Sequence, residues 1–152
     1  MDAVGNRSMA DLINEKVDQY GDKVFLMYES DAGKYEEYTY RQFDDRINRL
    51  ANALMDLGVK RGDKVTLMLT NCPEFLLAWF AVNKVGAVMV PGNIFYAADE
   101  LEYMLNFSDS VAFITEPVFL PLYEKIAGKT PGVKTFILAK AGMDYLPLPL
   151  RN

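Results

Sequence analysis

The stretch KVTLMLTNCPEFLLAWFAVNKVGAVMVPG, Lys64 to Gly92, decides the fold. Lys64 to Leu69 is a short, mostly apolar run of the kind that forms a buried strand. Pro73 follows at the start of a helix, where its missing N–H breaks no hydrogen bond. From Pro73 to Val85 the residues Phe75, Leu76, Leu77, Trp79, Phe80 and Val82 surround the helix axis with apolar groups. Such a helix is buried on most sides, and Trp79 is expected in the core. Gly86 caps the helix, and Ala87 to Val90 is a second strand stopped by Pro91-Gly92. Strand, helix and strand in this succession read as one βαβ unit, with both faces of the sheet covered.

Downstream the pattern repeats. Asp99 to Phe107 reads as a helix with Leu101, Met104 and Leu105 inward, and Val111 to Thr115 as a strand. Phe119 to Ala127 reads as a helix ended by Gly128, and Lys134 to Leu138 as the last strand. Upstream the character changes. Ser8 and Asp11 form a capping box for a helix from Met9 to Tyr20, which Gly21 ends. Val24 to Tyr28 and Tyr35 to Thr39, joined by Ser30-Asp31-Ala32-Gly33, read as a β-hairpin. Thr39 and Gln42 form a second capping box. Phe43, Ile47, Leu50, Leu54 and Leu57 then line one face of a long helix, and Gly58 stands where a left-handed residue ends it. The expected fold is therefore α/β: a partial doubly wound parallel sheet with flanking helices, preceded by an N-terminal helix and β-hairpin. No internal repeat is present. The tail 141–152, apolar and punctuated by Pro147 and Pro149, reads as a connector cut short.

Composition removes several function classes. With 16 Lys+Arg against 21 Asp+Glu the net charge is −5, which leaves no basic face for nucleic acid. Histidine is absent, so His-based nucleophile pairs, metal ligands and acid–base chemistry are excluded within the chain. A single cysteine, Cys72, makes neither an internal disulfide nor a cysteine-rich zinc site. The longest apolar run, Phe75 to Val82, is far short of the roughly 20 residues of a membrane span. No signal-like segment opens the chain, so a cytoplasmic location is expected.

The remaining motifs favour structural roles. Gly128-Lys129-Thr130 resembles the end of a phosphate loop, but Tyr123 stands where its first glycine is needed and a helix ends there instead of starting. The acidic pairs Asp44-Asp45 and Asp99-Glu100 lie near helix N-termini, where the helix dipole favours solvated negative charge; Glu36-Glu37 lies on the hairpin. Cys72, before a helix N-terminus, is read as an unreactive small residue, since no second thiol or imidazole accompanies it. No catalytic, cofactor-binding or metal-ligating residue is assigned to any position.

Several segments in order carry a resemblance. They are Tyr38-Thr39-Tyr40-Arg41-Gln42-Phe43, Asn48 to Leu54, Leu57-Gly58-Val59, Gly62 to Val65, Asn71-Cys72-Pro73-Glu74-Phe75 and Lys84 to Asn93. Together, from about Ser8 to Leu138, the chain resembles the adenylate-forming enzymes, among them the AMP-forming acyl-CoA synthetases. It is most similar to the carnitine or crotonobetaine–CoA ligase subgroup. The resemblance implies that residues 1–140 are the N-terminal portion of an adenylating large domain, with helix and hairpin in 1–39 and an α/β subdomain in 40–140. It implies a reaction in which a small carboxylic acid, ATP and CoA give acyl-CoA, AMP and pyrophosphate, with Mg²⁺ present. The family's Ser/Thr/Gly-rich phosphate loop and catalytic lysine match no position here, so an N-terminal fragment inactive alone is expected, binding no cofactor itself. Met89 to Asn93 are expected on the substrate side of a whole enzyme. The rival reading is a free-standing, non-catalytic α/β interaction or scaffold domain. With its usual neighbours absent, the hairpin should leave Val24, Leu26 and Tyr38 uncovered and drive formation of a homodimer, through the hairpin or through Tyr145 to Leu150.

Overall fold

The computed structural model describes residues 7–139. Helix α1 spans Met9–Tyr20, and strands β1 (Val24–Glu29) and β2 (Tyr35–Thr39) form an antiparallel hairpin separate from the main sheet. Helix α2 (Tyr40–Asp56) follows at once. Both expected capping boxes form, on Ser8 with Asp11 and on Thr39 with Gln42. At the far end of α2, Gly58 sits at φ 90°, and its N–H reaches the Met55 carbonyl while that of Val59 reaches Leu54. Such a left-handed stop pairs the last carbonyls and seats an apolar residue against the final turn. Gly21 works differently. Its φ is −37°, so no left-handed turn is made there; a Cβ would crowd the Val17 carbonyl oxygen at 2.9 Å and push aside the exposed end of the Arg41 side chain.

The main sheet contains β3 (Lys64–Met68), β4 (Val88–Pro91), β5 (Ser110–Thr115) and β6 (Thr135–Leu138), all parallel, in the order β4-β3-β5-β6. Helices α3 (Pro73–Val85) and α4 (Ala98–Phe107) cross between the first three strands, and α5 (Leu120–Glu124) lies between β5 and β6. Side chains alternate between two cores. Val65, Leu67, Ala112, Ile114 and Ile137 pack toward α1, α2 and α3. Met68, Phe113, Phe136 and Leu138 pack toward α4 and the α5 segment. Helices therefore lie on both faces, as expected of a sheet wound in two directions.

Three expectations need correction. The helix over 119–127 is broken into a 3₁₀ turn at Pro117–Phe119, the five-residue α5 and a second 3₁₀ turn at Ala127–Lys129. Pro117 and Pro121 supply no N–H to a ladder, and the irregular path seats Tyr123 flat on Phe136, centroids 4.5 Å apart. Trp79 is 37% exposed, because Leu77, Ala78, Ala81 and Val82 form the inward face of α3 and Trp79 stacks on Phe80 outside it. The hairpin finds cover within the chain. Tyr38 is 6% exposed and Leu26 half-buried against the core, where Phe25 meets Phe43 at 5.0 Å. Only Val24 of the three stays exposed. The connector 141–152 lies outside the described residues.

Candidate functional site

The chain runs outward from β3 to β4 and then returns across β3 to β5. Strand direction of travel thus reverses between β3 and β5, and in open α/β sheets ligands gather at the carboxyl ends of strands at such a point. Here that crevice is stitched by side chains. The Thr70 N–H and hydroxyl both donate to Glu116 Oε1, the hydroxyl at 2.7 Å, and Glu116 is 6% exposed. The Thr115 hydroxyl donates to the Met68 carbonyl at 2.7 Å. Thr70 and Glu116 lie 46 residues apart, with no local pattern linking them, and sequence reasoning missed the pair.

The helix starts at this end of the sheet do not fit a nucleotide's phosphates. An anion site there needs free backbone N–H groups and a positive end of the dipole. Helix α3 opens on Cys72 and Pro73, one amide short, with Glu74 in its first turn. One Glu74 oxygen, Oε2, is buried with no hydrogen-bond partner among the described residues. Helix α4 opens with Asp99 and Glu100, and the Glu100 carboxylate already accepts from the Ala97 N–H at 2.8 Å. Among the described residues no group of three or more His, Cys, Asp or Glu side chains could hold a metal ion. Gly128 and Lys129 lie in the 3₁₀ turn Ala127–Lys129, and the buried Thr130 that caps it donates its hydroxyl to the Ile126 carbonyl.

Beside the switch point lies an open cleft of about 880 Å³, between the hairpin tip and the start of α3. Leu26, Tyr28, Phe75 and Leu76 give it an apolar floor, and Glu29 and Asp31 an acidic rim. Cys72 lines it at the N-cap of α3. Met89 to Asn93 leave β4 at the same end of the sheet, where the Asn93 side chain accepts from the Phe95 N–H.

The acidic pairs divide by surroundings. Glu36 is paired with Lys34 and accepts the Tyr38 hydroxyl, and these hydrogen bonds, the lysine's foremost, hold its carboxyl below the usual range. Burial first, then the bond to Glu36, pushes the Tyr38 phenol up to about 12. The Arg46 guanidinium lies 4.6 Å from the centre of the Tyr38 ring. This cluster clamps the hairpin to α2 and offers no base. Asp45 is exposed as expected, but Asp44 is not a solvated helix charge. It pairs with Lys84 at 2.8 Å, with side-chain exposures of 14% and 18%, and accepts from Asn48 at 2.9 Å. Lys84 also reaches Asn14, so one network ties α1, α2 and α3 together.

Comparison with known proteins bears on this framework. The profile of a family described as AMP-binding enzyme matches residues 13–147. Crotonobetaine/carnitine–CoA ligases of Shigella flexneri serotype 5b and Escherichia coli are 38% identical over 126 residues, 83% of this chain and 25% and 24% of theirs. The chain thus spans about a quarter of the length of these curated relatives. The anthranilate CoA ligase AuaEII, solved with anthranoyl-AMP, superposes at a TM-score of 0.81 with 28% identity, over 91% of this chain and 26% of that one. The inhibitor-bound N-terminal domain of FACL13 from Mycobacterium tuberculosis gives 0.78 with 26% identity, over 89% and 34%. No helix among the described residues is long and apolar enough to cross a membrane.

Proposed function

Because the chain belongs to the family of AMP-binding enzymes, we propose that it is the N-terminal framework of an ATP-dependent acyl-CoA ligase. The whole enzyme would join a small carboxylic acid to CoA at the expense of ATP, releasing AMP and pyrophosphate. Residues 1–39 and 40–140 are its first two structural parts, and 141–152 the start of a connector. The observation that carries this reading is the mismatch at the sheet's carboxyl end. Pro73, Glu74, Asp99 and Glu100 occupy the helix starts where phosphates would otherwise sit. On this reading the groups that hold ATP and Mg²⁺ come from elsewhere in such an enzyme, and this chain acts as scaffold. A cytoplasmic setting follows from the supply of ATP and CoA. The net charge of −5 supports the absence of a nucleic-acid partner. A second copy of the chain is the proposed protein partner, supported by the hairpin's outer residues Met27 and Tyr35, both exposed.

Two measurements test the reading. With Mg²⁺ and a panel of short and long acids, this chain should release no pyrophosphate from ATP above a protein-free control; release would show that the active site has been misplaced. The coding sequence should continue in frame past Asn152 into a Gly/Ser/Thr-rich loop, and a stop codon there would favour a free-standing scaffold. Sedimentation at micromolar concentration tests the dimer, and a clean monomer refutes it.

A further inference from the structure

The two faces of the main sheet are covered unequally. Helices α1, α2 and α3 lie on one side, and the other carries α4 and the five-residue α5. Along α4, Leu101 and Leu105 are buried against the sheet. Tyr103 and Phe107 point the other way and are 65% and 76% exposed. One helical turn apart, their rings stack with centroids 5.3 Å apart and planes 18° from parallel. We propose that this outer face of α4 is a docking surface for a basic amphipathic helix of another polypeptide.

Charge selects this occupant. Helix α4 carries Asp99, Glu100 and Glu102 and no Lys or Arg. Glu102 is turned toward α5 and pairs with Lys129 at 3.4 Å. Asp99 and Glu100 stand exposed one turn before Tyr103, and Asp109 stands exposed just after Phe107. The aromatic pair therefore lies between carboxylates at both ends. A second copy would set these carboxylates against their own kind, which costs affinity. An anionic lipid surface is repelled for the same reason. A helix with one apolar stripe and flanking Lys or Arg meets both features together. Its stripe covers the rings, which are large apolar surfaces with little rotamer freedom to lose. Its cations reach Asp99, Glu100 and Asp109. The convex side of α4 also suits a helix, since side-chain ridges of one helix pack into the grooves of another. The proposal does not rest on the ligase reading, since it uses the outer face of α4 alone.

The probe is a fluorescein-labelled Leu/Lys amphipathic peptide of about 15 residues, the length at which isolated helices begin to hold. Anisotropy is titrated with the full chain at low salt, beside a Leu/Glu peptide of the same pattern. The Leu/Lys peptide should bind and the Leu/Glu peptide should not. Tyr103→Ser with Phe107→Ser leaves the net charge unchanged and should weaken binding by about 10-fold or more, as loss of central aromatic anchors does. Asp99→Asn with Glu100→Gln, which keeps the capping-box acceptor, should weaken it by about 3-fold or more. Met27→Ser with Tyr35→Ser, on the hairpin, should leave it unchanged. No binding, equal binding of the two peptides, or equal affinity for the Tyr103/Phe107 variant overturns the proposal. Should that variant fail to fold, the Asp99/Glu100 variant decides in its place. Sedimentation of the Tyr103/Phe107 variant should match that of the unaltered chain; a shift to a smaller species assigns the face to a second copy and overturns the proposal. Where the coding sequence runs past Asn152, the titration is repeated on its whole product. Binding should persist there, and its loss would show the face covered in cis and overturn the partner.

Discussion

Replacing Asp44 should destabilise the fold far more than replacing its neighbour Asp45. The Asp44 carboxylate holds Lys84 at 2.8 Å and the Asn48 amide at 2.9 Å, and the two charged side chains are 14% and 18% exposed. Exposed ion pairs contribute about 0–1 kcal/mol, whereas removing one partner of a buried pair costs about 3–5 kcal/mol because the other charge is stranded. This pair lies between those limits. In Asp44→Ala, Lys84 keeps only the Asn14 oxygen at 3.3 Å, and Asn48 loses its acceptor. A cost of about 2 kcal/mol follows. In a urea titration with a slope of about 2 kcal/mol/M, the midpoint falls by about 1 M. Asp45→Ala should cost under about 0.5 kcal/mol. Asp44→Leu with Lys84→Met, which removes both charges together, should recover most of the loss. Equal midpoints for the two single alanine variants would show that the α1–α2–α3 network contributes nothing and that the electrostatic argument is wrong.

Other expectations concern packing, backbone and pH. Leu77→Ala should cost about 2–5 kcal/mol in the same titration, while Trp79→Ala, though larger, should cost under about 1 kcal/mol because the ring lies outside the core. Gly58→Ala should cost about 1 kcal/mol or more through its positive φ, with no lost contact, read as a lower melting temperature. The Tyr38 phenol is raised to about 12 in the fold against about 10 unfolded, so the folded state keeps a proton the unfolded state loses. Its contribution is whole below pH 10 and falls as pH rises from there toward 12. Tyr38→Phe should flatten that decline in melting curves recorded between pH 9 and pH 11.5; an unchanged slope would refute the assignment.

The local architecture was legible because local chemistry set it. Ser8, Thr39 and Pro73 each carry a capping or N1 signal that needs no distant partner, and α1, α2 and α3 begin where those signals place them. Legibility failed where a distant neighbour decided the outcome. Asp44 and Asp45 differ only in which face of α2 meets Lys84, 40 residues on. Trp79 looked like core by composition, but small residues, Ala78 and Ala81, let α3 lie close on its other side. The site was less legible still. The tie between Thr70 and Glu116 arises from the return of the chain across β3, which no spacing of residues encodes.

The strand order also sets a timetable. Strand β3 is made first yet ends inside the sheet, with β4 on one side and β5 on the other. Once Pro91 has emerged, β3 and β4 can pair, but β5 is finished only at Thr115, so the 24 residues 92–115 must still be added. At about 5–20 residues per second this takes about 1–5 s of synthesis. For that interval the inner edge of β3 stands open, with its backbone groups set for a parallel neighbour and α3 already attached. A second nascent chain on the same message could pair with it then, and a holding chaperone would be of most use in the same interval. Once β5 is in place, the edge is sealed and the hazard passes outward to β6.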